Sequence, residues 1–259
     1  MAKLAITGKG GVGKTTLAST LARLYAAEGR TVLAIDADPD ANLGASLGMS
    51  REELEEIVPI ASMNELIHER TGAAPGTSGG FFKLNPKVDD IPDRFSLSKD
   101  GVKLLILGTV KKGGSGCICP ESALLKALLN HLFLRRDEMV ILDMEAGIEH
   151  LGRATTEGMD AFIAVVEPGM RSLDTARAVR KLAADIGVKK CYVVGNKIIT
   201  EEDRKFISSN LTDFEVLGFI SFNSKIIEAD RNGVSPYDID QVIVDEVKAI
   251  KDKLETLSR

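Results

Sequence analysis

The chain has 259 residues, 44% of them hydrophobic, and a formal net charge of -5. This length and apolar content suffice for one large α/β domain with a full core, and the acidic balance argues against nucleic acid as the main partner. No apolar run approaches the roughly 18 residues that cross a bilayer, and a first strand entered by Lys3 leaves no room for a signal peptide. Three cysteines do not make a disulfide framework. These features predict a soluble, cytoplasmic protein without a membrane partner.

A glycine-rich stretch joins the first predicted strand, 4–6, to a helical run over 17–27. Its residues are Gly8, Lys9, Gly10, Gly11, Val12, Gly13, Lys14, Thr15 and Thr16. Strand, loop and helix in this order are the context of a phosphate-binding loop, in which glycines let backbone N–H groups curl around a polyphosphate. Lys14 would then reach the β- and γ-phosphates of ATP, and the Thr15 hydroxyl would ligate Mg²⁺. Lys9 is not needed for this, so its charge could serve the nucleotide of a neighbouring subunit.

A second buried strand, 31–35, runs into Asp36 and Asp38. Carboxylates at the C-terminal end of a parallel strand lie where ligands bind in open α/β sheets. Asp38 could face the γ-phosphate and orient the attacking water, while Asp36 could reach the Mg²⁺ shell. The alternative is a solvated acidic turn that ends the strand.

The next sixty residues contain no long periodic element. Residues 41–70 predict short helical pieces, one of them begun by Ser50 and Glu53 at capping-box spacing. Residues 71–100 are broken by glycine and proline, with a short strand predicted over 81–84. Because this region has too few apolar residues for its own core, we expect an irregular insertion within a single domain over 1–259.

A third strand, 102–107, is followed by a loop that contains Cys117 and Cys119 and then by an apolar helix ending near Leu134. In an extended loop both thiols can point to one side of a common metal, but a tetrahedral site needs four ligands. A two-fold dimer would supply the same pair again. The spacing alone leaves two unrelated thiols, or a redox pair, equally open.

A fourth strand, 139–143, ends in Asp143. An apolar strand that ends in aspartate is the form of a Walker B motif, whose aspartate holds Mg²⁺. Gly147 in the following loop can let that loop approach the γ-phosphate. His150 could bind a metal or transfer a proton, although such a histidine more often packs or caps.

Three further strands, over 161–166, 190–194 and 214–220, alternate with helices. Asn196 and Lys197 follow the second of these strands. They can recognise a purine, because the amide can hydrogen-bond the edge of the base and the lysine stem can pack on its ring. The last helix, predicted near 238–257, has one apolar face that favours docking on the core over membrane binding. This alternation predicts a doubly wound, mostly parallel α/β sheet flanked by helices.

The phosphate loop with Lys9, the Asp36–Pro39 turn and the Asp143 loop together resemble the class of P-loop ATPases that contains MinD and the nitrogenase iron protein. The resemblance covers the whole chain, including 165–168, 195–197 and 220–237. It implies a homodimer that forms with ATP, in which Lys9 reaches the phosphates of the partner subunit.

Two stretches, 111–119 and 143–151, more closely resemble the nickel-maturation ATPases of carbon monoxide dehydrogenase and acetyl-CoA synthase. That resemblance implies that Cys117 and Cys119 of two subunits bind Ni²⁺ or Zn²⁺ at the dimer interface, and that nucleotide state controls delivery to a client nickel enzyme. It does not separate the two clients. An iron–sulfur redox ATPase and an ATPase that acts as a spatial regulator are the alternatives.

Overall fold

A computed structural model describes residues 3–76, 81–108, 119–134, 138–146 and 158–257. Eight strands in these ranges form one sheet: β1 Lys3–Gly8, β2 Val32–Asp36, β3 Leu97–Lys99, β4 Val102–Ile106, β5 Met139–Asp143, β6 Ala161–Val166, β7 Cys191–Ile198 and β8 Glu215–Ser221. Their order is β3-β4-β2-β5-β1-β6-β7-β8, and every neighbouring pair is parallel except β3 and β4. The doubly wound, mostly parallel sheet is confirmed, and the crevice favoured for ligands lies at the C-terminal end of β1, between β5 and β6.

Helices cover both faces of the sheet. The described helices are α1 Lys14–Ala27, α2 Leu43–Ser46, α3 Arg51–Glu55, a 3₁₀ turn Ile60–Ser62, α4 Asn64–Thr71, α5 Ile91–Phe95, α6 Pro120–Leu134, α7 Met170–Asp185, α8 Glu201–Asn210, α9 Ser224–Asn232, α10 Pro236–Ile239 and α11 Gln241–Thr256. One apolar cluster packs α4, α6, α7 and α8 on one face of the sheet, and a second packs α1, α2 and α11 on the other. The result is a three-layer domain whose strands are buried on both faces.

One local prediction in the irregular region was wrong. Residues 81–84 form no strand, and Phe81 is fully exposed. The strand of this region is instead β3, which pairs antiparallel with β4 at the edge of the sheet.

Two hydrogen bonds hold the irregular region together: the Arg70 guanidinium donates to the Asp90 carboxylate at 2.9 and 2.8 Å. The predicted capping box of Ser50 and Glu53 is present at the start of α3.

The last predicted helix is divided into α10 and α11, because Asp240 between them has an extended backbone and caps α11. The apolar face of α11 lies on the core, with four side chains that are at most 1% exposed: Ile243, Val247, Ile250 and Leu254. Across the described ranges, no helix has both the length and the apolarity for a membrane span.

Candidate nucleotide site

The glycine-rich loop leaves β1 at the C-terminal edge of the sheet and enters α1 at Lys14. Gly8 passes so close to β6 that a Cβ on it would lie 2.5 Å from the Val165 carbonyl oxygen. Gly13, the residue that precedes α1, has a left-handed φ of 94°. Side chains would obstruct both positions, so the sequence needs glycine there to form a backbone cradle. The positive end of α1 lies behind this cradle and favours an anion.

The charged side chains of this loop differ in their surroundings. Lys14 is buried, and its ammonium lies 3.5 Å from a carboxylate oxygen of Asp38, whose side chain is 13% exposed. Thr15 and Thr16 in the first turn of α1 are partly exposed. Lys9 is exposed, and its ammonium has no ion-pair partner in the described part of the chain. The structure thus brings Lys14 and Asp38 together and leaves Lys9 facing outward.

Asp36 is fully buried at the end of β2. One carboxylate oxygen accepts from the backbone N–H of Leu43 at 2.9 Å, and the other accepts from that of Asp38 at 3.1 Å. Burial raises the pKa of Asp36 to about 7, with the Asp143 carboxylate adding to the shift and the two backbone donors opposing it. The side chain therefore holds the acidic turn in shape through its two backbone hydrogen bonds.

Asp143 ends β5 directly beside Asp36 of β2, with which it is in register. It is 1% exposed, and among the described residues neither of its carboxylate oxygens has a well-aligned hydrogen bond, although the Thr15 hydroxyl is near. Burial raises the pKa of Asp143 to about 6, and the nearby Thr15 hydroxyl and Lys14 ammonium lower it only in part. A buried carboxylate beside the hydroxyl of Thr15 and the ammonium of Lys14 is an oxygen donor set that fits Mg²⁺.

Asn196 connects β7 to the phosphate loop. Its side-chain amide donates to the Val12 carbonyl at 2.7 Å, and its side-chain oxygen accepts from the backbone N–H of Lys197 at 2.7 Å. A Cβ on Gly13 would lie 2.1 Å from the same amide nitrogen. Lys197 has a left-handed φ of 58°, and its ammonium lies 3.4 Å from Glu167 at the end of β6. Sequence reasoning anticipated a ligand role for Asn196 but not this bond to the loop.

A cavity of about 510 Å³ extends from the phosphate loop toward the C-terminal part of the chain. Thr15 and Asn196 line its inner end, and its outer end is lined by Ser221, Phe222, Asn223, Ile226, Ile227, Asp230 and Val234. These outer residues form no sequence motif that predicts a binding site. The sequence pattern visible among them is an Asn before a helix, which is typical of helix capping. In the structure the Asn223 side chain accepts from the backbone N–H of Lys225.

Cys119 is the described member of the cysteine pair. Its carbonyl accepts from the Ala123 N–H, so it directly precedes α6, and its thiol lies 3.1 Å from the Ser122 hydroxyl. Three residues singled out in the sequence lie outside the described ranges: Cys117, Gly147 and His150. Within those ranges, no group of three or more His, Cys, Asp or Glu side chains is arranged to hold a metal ion.

The third cysteine, Cys191, lies in β7. It is partly buried, and burial raises the pKa of its thiol to about 11. A thiol with so high a pKa is protonated at neutral pH and is a poor metal ligand. In this strand it behaves as a small hydrophobic residue.

Comparison with known proteins agrees with this geometry. The family model described as the CobQ/CobB/MinD/ParA nucleotide binding domain, CbiA, matches residues 3–237. The chain is 48% identical over 248 residues to the carbon monoxide dehydrogenase accessory protein CooC of Rhodospirillum rubrum, covering 96% of this chain and 94% of that protein. It is 45% identical over 251 residues to an uncharacterized ATP-binding protein of Methanocaldococcus jannaschii, covering 96% and 95% of the two chains.

Solved structures share the architecture. The MinC:MinD cell division protein complex of Aquifex aeolicus matches with a TM-score of 0.67 at 22% identity, covering 99% of this chain and 96% of that chain. A plasmid partition protein of Borrelia burgdorferi bound to AMPPNP matches with a TM-score of 0.70 at 15% identity, covering 99% and 100%. At such identities the likeness concerns the fold alone.

Proposed function

We propose that this chain, which belongs to the CobQ/CobB/MinD/ParA nucleotide-binding family, couples ATP binding and hydrolysis to the delivery of nickel to carbon monoxide dehydrogenase. It is an ATPase of that family. The observation that carries the rest is the 48% identity, across nearly the full length of both chains, to an accessory protein of carbon monoxide dehydrogenase.

At the phosphate end, Lys14 binds the β- and γ-phosphates and Asp38 orients the attacking water. The 3.5 Å between them supports this, because a phosphate held by Lys14 then lies within reach of the Asp38 carboxylate. Thr15 and Asp143 would hold Mg²⁺. Asp36 would either stabilise the adjacent turn or join the coordination shell of the ion. When bound, the ion neutralises charge on the β- and γ-phosphates.

At the other end, the cavity takes the adenine base. Asn196 has hydrogen-bonding capacity left after its contacts to Val12 and Lys197. The Lys197 stem lies beside the same space. The amide reads the edge of the purine and the stem packs on its ring, while apolar side chains such as Ile226 cover the other face.

The segment with the cysteines begins next to the phosphate site, which supports coupling between the two. Leu107, directly after β4, donates its backbone N–H to the Asp36 carbonyl at 2.9 Å. Ala37 donates to the Asp143 carbonyl at 2.9 Å. We therefore expect a change in the acidic turn on hydrolysis to displace Leu107, at the start of the connection that contains Cys117 and Cys119.

Two copies complete the metal site. Cys117 and Cys119 from each chain make a set of four sulfur ligands, which suits Ni²⁺ or Zn²⁺. The exposed Lys9 of one subunit reaches the phosphates of its partner, so ATP occupancy favours the dimer. Nickel is the cargo in this scheme: closure with ATP holds the ion, and hydrolysis loosens the four-sulfur site for release to the client enzyme.

The test compares metal binding by the wild type, the double variant Cys117→Ala with Cys119→Ala, and the control Cys191→Ala. Each protein is incubated with Ni²⁺, with and without ATP, and measured by size exclusion coupled to elemental analysis. We expect one nickel ion per dimer for the wild type and for the control. The double variant is expected to lose the metal and to keep ATP binding.

Wild-type metal content in the double variant would contradict the proposal, as would a monomer at every ATP and metal concentration. A brown protein with visible absorption after anaerobic purification would instead favour an iron–sulfur redox ATPase. The Cys191→Ala control separates loss of the paired site from general loss of thiols, since Cys191 is partly buried in β7.

A further inference from the structure

We infer that two carboxylates at the start of the last helix, those of Asp240 and Glu246, position the wall of the cavity that faces the nucleotide base. The wall is the segment 221–223, which begins at the last residue of β8, together with α9, which follows it in the chain. Among the described residues, neither carboxylate lines the cavity. Both would therefore act through the wall and not on the ligand. The inference rests on the proposed assignment of this cavity to the base.

Glu246 fixes the point at which the chain leaves β8. The backbone N–H of Ser221 donates to one of its oxygens at 2.9 Å, and the Ser221 hydroxyl donates to the other at 2.6 Å. On the opposite side, the backbone N–H of Phe222 donates to the Ile198 carbonyl of β7 at 2.8 Å. The wall is thus held between α11 and β7, and at Ser221 the α11 side of this contact is the Glu246 side chain.

Asp240 fixes the next residue of the wall. Its side chain is 2% exposed and accepts a hydrogen bond from the Asn223 amide. That bond orients Asn223 so that its oxygen accepts from the backbone N–H of Lys225 at 3.0 Å, which caps α9. Ile226 and Asp230 of α9 line the cavity. The Asp240 carboxylate therefore sets the start of the helix that covers the base.

The helix α11, which contains Glu246 and directly follows Asp240, is itself anchored to the rest of the domain. Ile250 packs against β8 so closely that a Cβ on Gly218 would lie 2.6 Å from it. The Lys253 ammonium donates to the Val216 carbonyl at 2.6 Å, and Lys251 pairs with Glu28 at the end of α1 at 2.9 Å. A helix anchored to both β8 and α1 is a rigid reference for the wall.

The test measures the dissociation constants of Mg-ATP and of inorganic triphosphate, which has no base. We expect Glu246→Ala to weaken ATP binding about tenfold, because both donors of Ser221 lose their partner. Triphosphate binding should change by less than about twofold, because the phosphate loop does not depend on this wall. Glu246→Gln should restore most of the ATP affinity, since an amide oxygen still accepts from the Ser221 N–H. Asp245→Ala is the matched control, an exposed neighbour on α11 paired with Gln241.

Equal weakening of ATP and triphosphate by Glu246→Ala would overturn the inference, because the defect would then be general. No weakening of either would overturn it as well. Phe222→Ala, which trims the wall itself, identifies the premise that failed. If Phe222→Ala weakens ATP and Glu246→Ala does not, the positioning role is wrong. If neither does, the base does not occupy this cavity.

Discussion

The two ends of the nucleotide cavity are built in different ways. The phosphate end is made by consecutive residues, 8–16, whose path is set by glycine backbones and by the start of α1. The base end is made by residues at the ends of β7 and β8 and by α9, and beside β8 it is held by the side chains of Glu246 in α11 and of Asp240, which precedes α11. Phosphate chemistry is therefore encoded locally, while the base end depends on contacts between elements that are distant in the chain.

One side chain joins the two ends. The amide of Asn196, at the end of β7, bonds the Val12 carbonyl in the middle of the phosphate loop. Asn196 also lines the cavity, 5% exposed. A contact shared by both ends makes it possible to ask which substitutions affect phosphates, which affect the base and which affect both.

The largest effect is expected at the phosphate end. Lys14→Ala removes the buried cation that faces Asp38, and we expect ATP hydrolysis to fall by at least about a hundredfold, because charge developing on the phosphates loses its stabilisation. Triphosphate and ATP binding should weaken together. Phosphate release under saturating ATP measures the rate, with Lys205→Ala on α8 as the exposed-lysine control. A rate within about tenfold of the wild type would contradict the assigned role.

The second prediction concerns the buried carboxylate of the same end. The pKa of Asp143 is raised to about 6 by burial, so the folded protein binds its proton more tightly than the unfolded chain does. Ionising Asp143 in the folded protein lowers the free energy of unfolding. This cost is absent below about pH 4, grows as the pH rises toward 6, and is complete above that. Removing the charge should therefore stabilise the protein without metal and nucleotide at neutral and alkaline pH only.

Asp143→Asn tests this sign. In chelator and without nucleotide, we expect the free energy of unfolding to rise by roughly 2 kcal/mol at pH 8 and to change little at pH 4. Urea titrations at the two pH values give the comparison, with Asp245→Asn as an exposed control. The same variant should lose ATP hydrolysis, since the oxygen donor set for Mg²⁺ is incomplete. Destabilisation at pH 8 would show that the carboxylate is compensated by contacts other than a metal.

The sequence was sufficient for features set by local rules. Seven of the strands, the phosphate loop and the capping box at Ser50 follow from periodicity and from the needs of backbone geometry. It was not sufficient for β3, three residues at the edge of the sheet, which among the described strands pair with β4 alone. A short edge strand has too few residues for an alternating pattern, whereas the aromatic residues at 81–82 suggested a strand where no partner exists.

The base end could not be predicted for a related reason. Ser221 and Asn223 are ordinary polar residues in the sequence, and only the fold brings Glu246 and Asp240 to them. The cysteine pair is the opposite case: Cys117 and Cys119 form a visible pattern, but the four-sulfur site would need a second chain. That part of the function stays a prediction.

The smallest effect is expected where the two ends meet. Asn196→Ala removes the bond to the Val12 carbonyl, so the phosphate loop loses a support and triphosphate binding should weaken about fivefold. ATP binding should weaken by at least as much, because the contact to the purine is lost too. This pattern differs from that of Glu246→Ala, which should spare triphosphate, and competition titrations with both ligands distinguish them. Unchanged triphosphate binding in Asn196→Ala would mean that the loop keeps its shape without β7, and the two ends would then be independent.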